Sequence, residues 1–118
     1  MAVSHKSSGK LETFTLQCVD ITDLEHVGLS DFVSSASTIY SIDITNNNGG
    51  IVFVRLYNNK SPTYGTTDPD IMFVVAANTR SVWTIAQGAT MSLGVSAQGT
   101  AADGSTPGSA IDVSLVMT

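Results

Sequence analysis

Residues 38–57 read TIYSIDITNNNGGIVFVRLY, and this stretch decides the fold. Tyr40, Ile42 and Ile44 alternate with Ser41, Asp43 and Thr45, the period-two pattern of a strand with one wet face. NNNGG at 46–50 predicts a turn, because Asn and Gly tolerate positive φ. In the run that follows, Val52, Val54 and Leu56 are expected in a core. Ile51, Phe53, Arg55 and Tyr57 share the opposite face. That second face is too apolar for plain solvent and predicts a cover: a loop, another chain or a second sheet.

Working outward, the same texture continues. FTLQCV places Phe14, Leu16 and Cys18 on one face of a strand expected over Thr13–Val19. IMFVV (71–75) is a further β run. In RSVWTI (80–85), Val82 and Thr84 oppose Trp83 and Ile85, and the pattern does not choose the buried face. Thr90–Val95 alternates, with Met91, Leu93 and Val95 on one side, and the last strand aligns Ile111, Val113, Leu115 and Met117. Hairpin links are expected where connections are short, at 46–50, 76–79 and 86–89. The long loops at 58–70 and 96–109 are expected to carry the crossings between sheets. Residues 20–36 are open between a helical turn capped by Thr22 or Asp23 and a short strand around Glu25–Val27; Leu24, Val27 and Phe32 would pack inward from it. Residues 1–11 are small and polar, without periodicity, and are expected to form a flexible N-terminal arm. Residues 12–118 then form a single all-β domain. Seven or eight two-faced strands with no packed helix lead to an antiparallel β-sandwich, jelly-roll-like, or else a barrel.

The totals narrow function mainly by exclusion. The chain has 118 residues, 42% apolar, enough for one domain with its own core. Charged residues are only 13%, against about 25% in typical soluble domains. A surface of Ser, Thr, Asn and Gly sheds water at low cost and suits packing against other protein. The net charge is −5, and Lys6, Lys10, Arg55, Lys60 and Arg80 are scattered. Nucleic acid and anionic membrane are therefore not expected partners. Cys18 is the single cysteine, so no internal disulfide is expected; a buried thiol acting as a small hydrophobe is the simpler reading. MAVSHKSSGK has no hydrophobic run of a signal-peptide kind, so export by that route is not expected.

No catalytic constellation emerges. Asp68 and Asp70 flank Pro69, but no Ca²⁺-loop spacing surrounds them, and turn acids are the simpler reading; Asp20 and Asp23 read the same way. His5 and His26 are too isolated for a zinc ligand set. No Ser lies in a nucleophile elbow, and GTAADG lacks the lysine of a phosphate loop. No metal, cofactor or catalytic residue is expected. Phe53, Tyr57, Tyr64 and Trp83 are the candidate interface residues, weighed between packing and a carbohydrate platform.

Several segments, in order, resemble small β-sandwich virion structural proteins of tailed bacteriophages. TIYSIDITNNNGGIVFVRLYN is similar to their tyrosine-led strand ending in Asn and the strand after it. PTYGTTDPDIMFVVAANTR is similar to their proline–threonine–x–glycine–threonine loop, second proline and hydrophobic strand. Here Pro62, Thr63, Tyr64, Gly65, Thr66 and Pro69 match the loop, while AANT at 76–79 stands where the family has proline–alanine–glycine. TMSLGVSAQGTAADGSTP is similar to the next strand and its small-residue loop. The resemblance covers residues 37–118 and rests on order and spacing; residues 1–36 carry none of it.

The resemblance implies a non-enzymatic capsid decoration (cement) protein that bridges major capsid subunits, with no catalytic residues to carry over. It implies a homo-oligomer, with a trimer as the family-level expectation, located on the virion and in host cytoplasm during assembly. A neck, tail or fibre component is the alternative within that class. A carbohydrate- or receptor-binding sandwich module is the alternative outside it.

Overall fold

The computed structural model describes the backbone of residues 2–11 and 14–118, and the side chains of residues 2–5 and 16–118. Among these, nine strands form two antiparallel sheets packed as a β-sandwich, where seven or eight strands were expected. They are β1 (Ala2–Leu11), β2 (Phe14–Thr22), β3 (Leu29–Val33), β4 (Ser37–Asn46), β5 (Val52–Asn58), β6 (Ile71–Val75), β7 (Arg80–Met91), β8 (Val95–Ala101) and β9 (Ile111–Met117). One sheet has the order β1-β2-β9-β4-β7, the other β3-β8-β5-β6. The core lies between them. Ile42, Ile44 and Leu115 face Val54, Leu56 and Val75 across it, all fully buried. As expected, Val52, Val54 and Leu56 turn inward, as do Ile111, Val113, Leu115 and Met117.

The strand pairings nest. β5 pairs with β6, β4 with β7, β3 with β8 and β2 with β9. β1 adds to β2 outside that nesting, and from β2 to β9 the chain is one long hairpin folded across two sheets, with its tip at residues 59–70. This inverts the expected use of the links. The stretches at 46–50 and 76–79 do not close hairpins but cross between the sheets. The 58–70 segment does not cross but joins the paired strands β5 and β6. Sheets about 10 Å apart are bridged by four or five extended residues, so a short link says nothing about which neighbour is next. The connection after β8 does cross, as expected. The 86–89 segment is not a turn between strands at all, because it lies within β7.

Irregular pairing explains one misplaced face and one misplaced turn. In β4, Ser37 and Ile39 are buried, then Ile42, Ile44 and Asn46. The phase changes at Tyr40, where the register jumps from Ile39↔Met117 to Ser41↔Val116. One extra residue turns the strand over, so Ile39 rather than Tyr40 joins the core. On the other side, Ile39 pairs with Ala89 and Ser41 with Thr84, leaving 85–88 as an excursion within β7. Gly88 makes it possible: its φ is +75°, and a Cβ there would strike the Thr38 methyl group.

Elsewhere, tertiary pairing overrides local pattern. In β2 the inward residues are Val19 and Ile21; Leu16 and Cys18 are only half-buried, so the expected core face was the wrong one and the thiol is not in the core. The side chain of Phe14 and the expected strand start at Thr13 lie outside the described residues. Residues 23–28 form a crossing link with neither the helical turn nor the strand at Glu25–Val27. Leu24 is buried as expected and Phe32 packs on the core, but Val27 is 60% exposed. The expected strand Thr90–Val95 is broken at residues 92–94, leaving Leu93 60% exposed. Residues 2–11, expected as an arm outside the sandwich, form edge strand β1 along β2, with a register shift between Ser7 and Gly9.

The largest revision is β8. SAQGTA was expected in a loop, yet it pairs with β3 on one side and β5 on the other. Gly99 sits where a Cβ would lie 2.9 Å from the Leu24 carbonyl oxygen and 3.0 Å from Ile111 Cδ1. Small residues are needed because chain crowds this strand, and such a need leaves no β-type signature in the sequence.

One buried polar side chain ties the crossings together. Asn46 donates from Nδ2 to the carbonyls of Gly50 (2.9 Å), Val75 (3.2 Å) and Ala76 (3.0 Å), while its Oδ1 accepts from Asn48 N (2.9 Å). Asn48 in turn donates to Ser109 O (3.0 Å) and accepts from Ser109 N (2.7 Å). The NNN run is a clamp on three crossing links, satisfying carbonyls that the sheets leave unpaired.

Candidate functional site

The outer face of the four-stranded sheet carries the candidate site. Direct pairing sets its rows. Phe53 lies between Val74 and Thr100, and Arg55 between Met72 and Gln98. On the β5–β6 side the rows are apolar: Met72 is 50% and Val74 49% exposed, beside half-buried Phe53. β6 is also an edge strand, so its outer backbone groups have no neighbouring strand in the described fold. On the β5–β8 side the rows are polar and covered.

The cover is the hairpin tip. Residues 63–67 close a tight turn, with Thr66 N and Thr67 N both donating to Thr63 O. Asp70 Oδ2 accepts from Asn58 N at 2.7 Å, holding the base of the loop. Tyr64 then reaches across the sheet. Its ring meets Tyr57 edge-on at 5.5 Å between centroids and 79° between planes, and its hydroxyl lies 2.9 Å from Ser30 Oγ. The ring also occupies the space where Gly28 would carry a Cβ, and Gly28 has φ +75°. Of the outer face expected for residues 51–57, the chain's own loop covers Tyr57, while Ile51 stays 44% exposed and Phe53 half-buried beside open β6.

Between this loop and the sheet lies a groove of about 260 Å³. Its floor is Arg55, Tyr57, Gln98 and Thr100; residues 65–69 and Gly104 form the walls. Hydrogen bonds hold the floor in place. Tyr57 donates from its hydroxyl to Gln98 Oε1 at 3.2 Å, and Gln98 Nε2 donates to His26 O at 2.8 Å. Arg55 Nη1 donates to Thr100 Oγ1 at 2.7 Å, and its guanidinium carbon lies 5.4 Å from the centre of the Phe53 ring. Burial pushes the Tyr57 phenol above its ordinary pKa; the Arg55 charge pulls it partly back, and Tyr64 raises it.

Of the four candidate interface residues, Tyr57 and Tyr64 meet, while Phe53 and Trp83 lie elsewhere. Tyr57 is buried under Tyr64, and both serve to fasten the loop. Phe53 supports Arg55 from the open face. Trp83 lies in the other sheet and packs on Phe73 at 4.8 Å between centroids, at the rim of the core. Arg55, Gln98 and Thr100 were not singled out in the sequence. Arg55 alone had a signal, as a charge inside an apolar run; Gln98 and Thr100 fell in a segment read as loop. Asp68 lies on the groove wall, whereas Asp20 faces outward on the opposite sheet, bonded to Ser114 Oγ. Among the described residues, no three of His, Cys, Asp and Glu gather in a metal-holding arrangement. His26 contacts Thr106 Oγ1 through its ring. No family model, curated protein or solved structure matches the chain.

Proposed function

We propose that the chain is a non-enzymatic structural subunit of a tailed-phage virion, and specifically a capsid decoration protein seated over contacts between major capsid subunits. The observation that carries this reading is the strip of Phe53, Met72 and Val74 beside an open sheet edge. Apolar side chains on an unpaired edge invite another chain, and a monomer exposing them risks aggregation unless they are covered in use. Low charge density supports the same reading, as does the family resemblance over residues 37–118. The nested pairing of β2 through β9 in two groups of four supports a jelly-roll assignment within the sandwich, an architecture used in capsid proteins.

On this reading the partner is the major capsid protein, and self-association, with a trimer as the first state to test, places several copies of the strip around one contact. The protein resides on the particle surface after assembly in host cytoplasm. Cryo-electron microscopy of the particle tests the address. Density for this sandwich repeating over the capsid lattice supports decoration; density confined to the neck, tail or fibres reassigns it within the virion. In parallel, Met72→Lys with Val74→Lys is expected to lower binding to undecorated particles by at least about tenfold. A wild-type chain that stays monomeric and does not sediment with particles overturns the proposal.

A further inference from the structure

We propose that the groove under the 65–69 loop is a binding site for a single hexuronic acid residue, held through its carboxylate by Arg55. This does not depend on the virion reading. Arg55 is the anchor because it is placed without being spent. One of its N–H groups donates to Thr100 Oγ1, and Phe53 flanks the guanidinium. Among the described residues, the carboxylate–cation pair is Arg80 with Asp43, far from the groove, so Arg55 retains its fork of donors. A guanidinium has five N–H groups, and two of them match a carboxylate side by side.

Shape excludes an extended peptide. Peptides that bind sheets by adding a strand need an open edge. The groove floor is β5 and β8, each already paired on both sides. A volume of about 260 Å³ falls just below the range of drug-sized pockets (~300–1,000 Å³) and suits one six-membered ring. Neutral sugars are commonly held by stacking on an exposed aromatic face, and here the Tyr57 ring is sealed under Tyr64. Recognition falls to charge and to hydroxyl partners. Thr66, Thr67 and Asp68, with two hydroxyls and a carboxylate among them, line the same groove as Arg55. Thr67 Oγ1 accepts from Thr63 N, which leaves its O–H to donate. A ring bearing a carboxylate and hydroxyls matches that set of partners. Asp68 and the net charge of −5 disfavour multiply charged anions such as phosphate, and favour a monoanion.

The test is an NMR titration of the isotope-labelled full chain with sodium glucuronate, its methyl ester, glucose and acetate. Glucuronate is expected to give saturable shifts at Arg55, Thr66, Thr67 and Thr100. The ester, glucose and acetate are expected to bind at least about tenfold more weakly. Arg55→Gln is expected to lose glucuronate to the same extent. If that variant fails to fold, the acid–ester comparison on the wild-type chain still decides. No saturable shift up to about 50 mM glucuronate overturns the proposal. So does equal binding of the ester, and so does acetate binding as tightly as glucuronate, which reduces the site to a general anion hole.

Discussion

The sandwich turns two very different faces outward. On the five-stranded sheet the outward rows mix polar and apolar side chains: Asp43 lies between Ser114 and Val82, and Ser41 between Val116 and Thr84. Among the described residues, Val82 is the large apolar residue most exposed there, at 58%, while Val116 and Cys18 on the same face are half-buried. On the four-stranded sheet, the chain's own loop roofs a polar groove, and next to it runs the apolar strip of β6. Both faces grow from alternating strands. The difference is that one face is left to solvent, its side chains joined in pairs such as Arg80–Asp43 and Ser114–Asp20, while the other is roofed by a loop of its own chain.

The largest break in this contrast is expected from truncation of matched positions. Tyr57→Ala removes a buried ring that supports both groove and loop, and is expected to destabilise the chain by about 3 kcal/mol or more in urea unfolding. Thr84→Ala on the other face is expected to stay within about 0.5 kcal/mol of the parent. Comparable losses at the two positions would erase the distinction.

A smaller effect sharpens it. Gly28→Ala meets both a positive φ and the Tyr64 ring, and is expected to cost about 1–3 kcal/mol and to raise hydrogen exchange in the 63–67 turn. An unchanged exchange pattern would mean that Tyr64 does not fasten the loop there.

The smallest effects are in titration, and they separate the faces by sign. Tyr57 has a raised folded pKa, so its contribution is complete below the ordinary phenol value of about 10 and is lost as pH rises through the folded value. Ultraviolet titration of the native chain is expected to show one phenol ionising above that value. Asp43 on the solvated face behaves oppositely. Its bidentate hydrogen bonds from Arg80, at 2.5–3.0 Å, hold its carboxyl below the usual range. Its contribution is present above the ordinary carboxylate value and lost as pH falls through the folded one. The pair is exposed, so Arg80→Ala is expected to move the acid unfolding midpoint only slightly.

Legibility followed the same division. The strands β5 and β9 were readable because branched side chains at period two announce one buried face. β8 was not, because Ala97 and Gly99 are small for the sake of neighbours that are remote in sequence. Links misled in proportion to their brevity, since a five-residue connection fits a hairpin and a crossing equally well. Of the site, the apolar outer side of β5 was visible as an excess that needed cover. The floor was not, because Arg55, Gln98 and Thr100 meet only when β5 and β8 pair.

The sequence by itself determined an all-β chain with a strongly marked core and one outward face too apolar to stay wet. These follow from period-two alternation and composition, which are local. The tertiary structure alone decided which strands share a sheet, where the bulge at Tyr40 turns a face over, and that residues 59–70 fold back to roof a groove. Those depend on pairings between residues far apart in the chain, and no local pattern encodes which distant backbone will supply the partner.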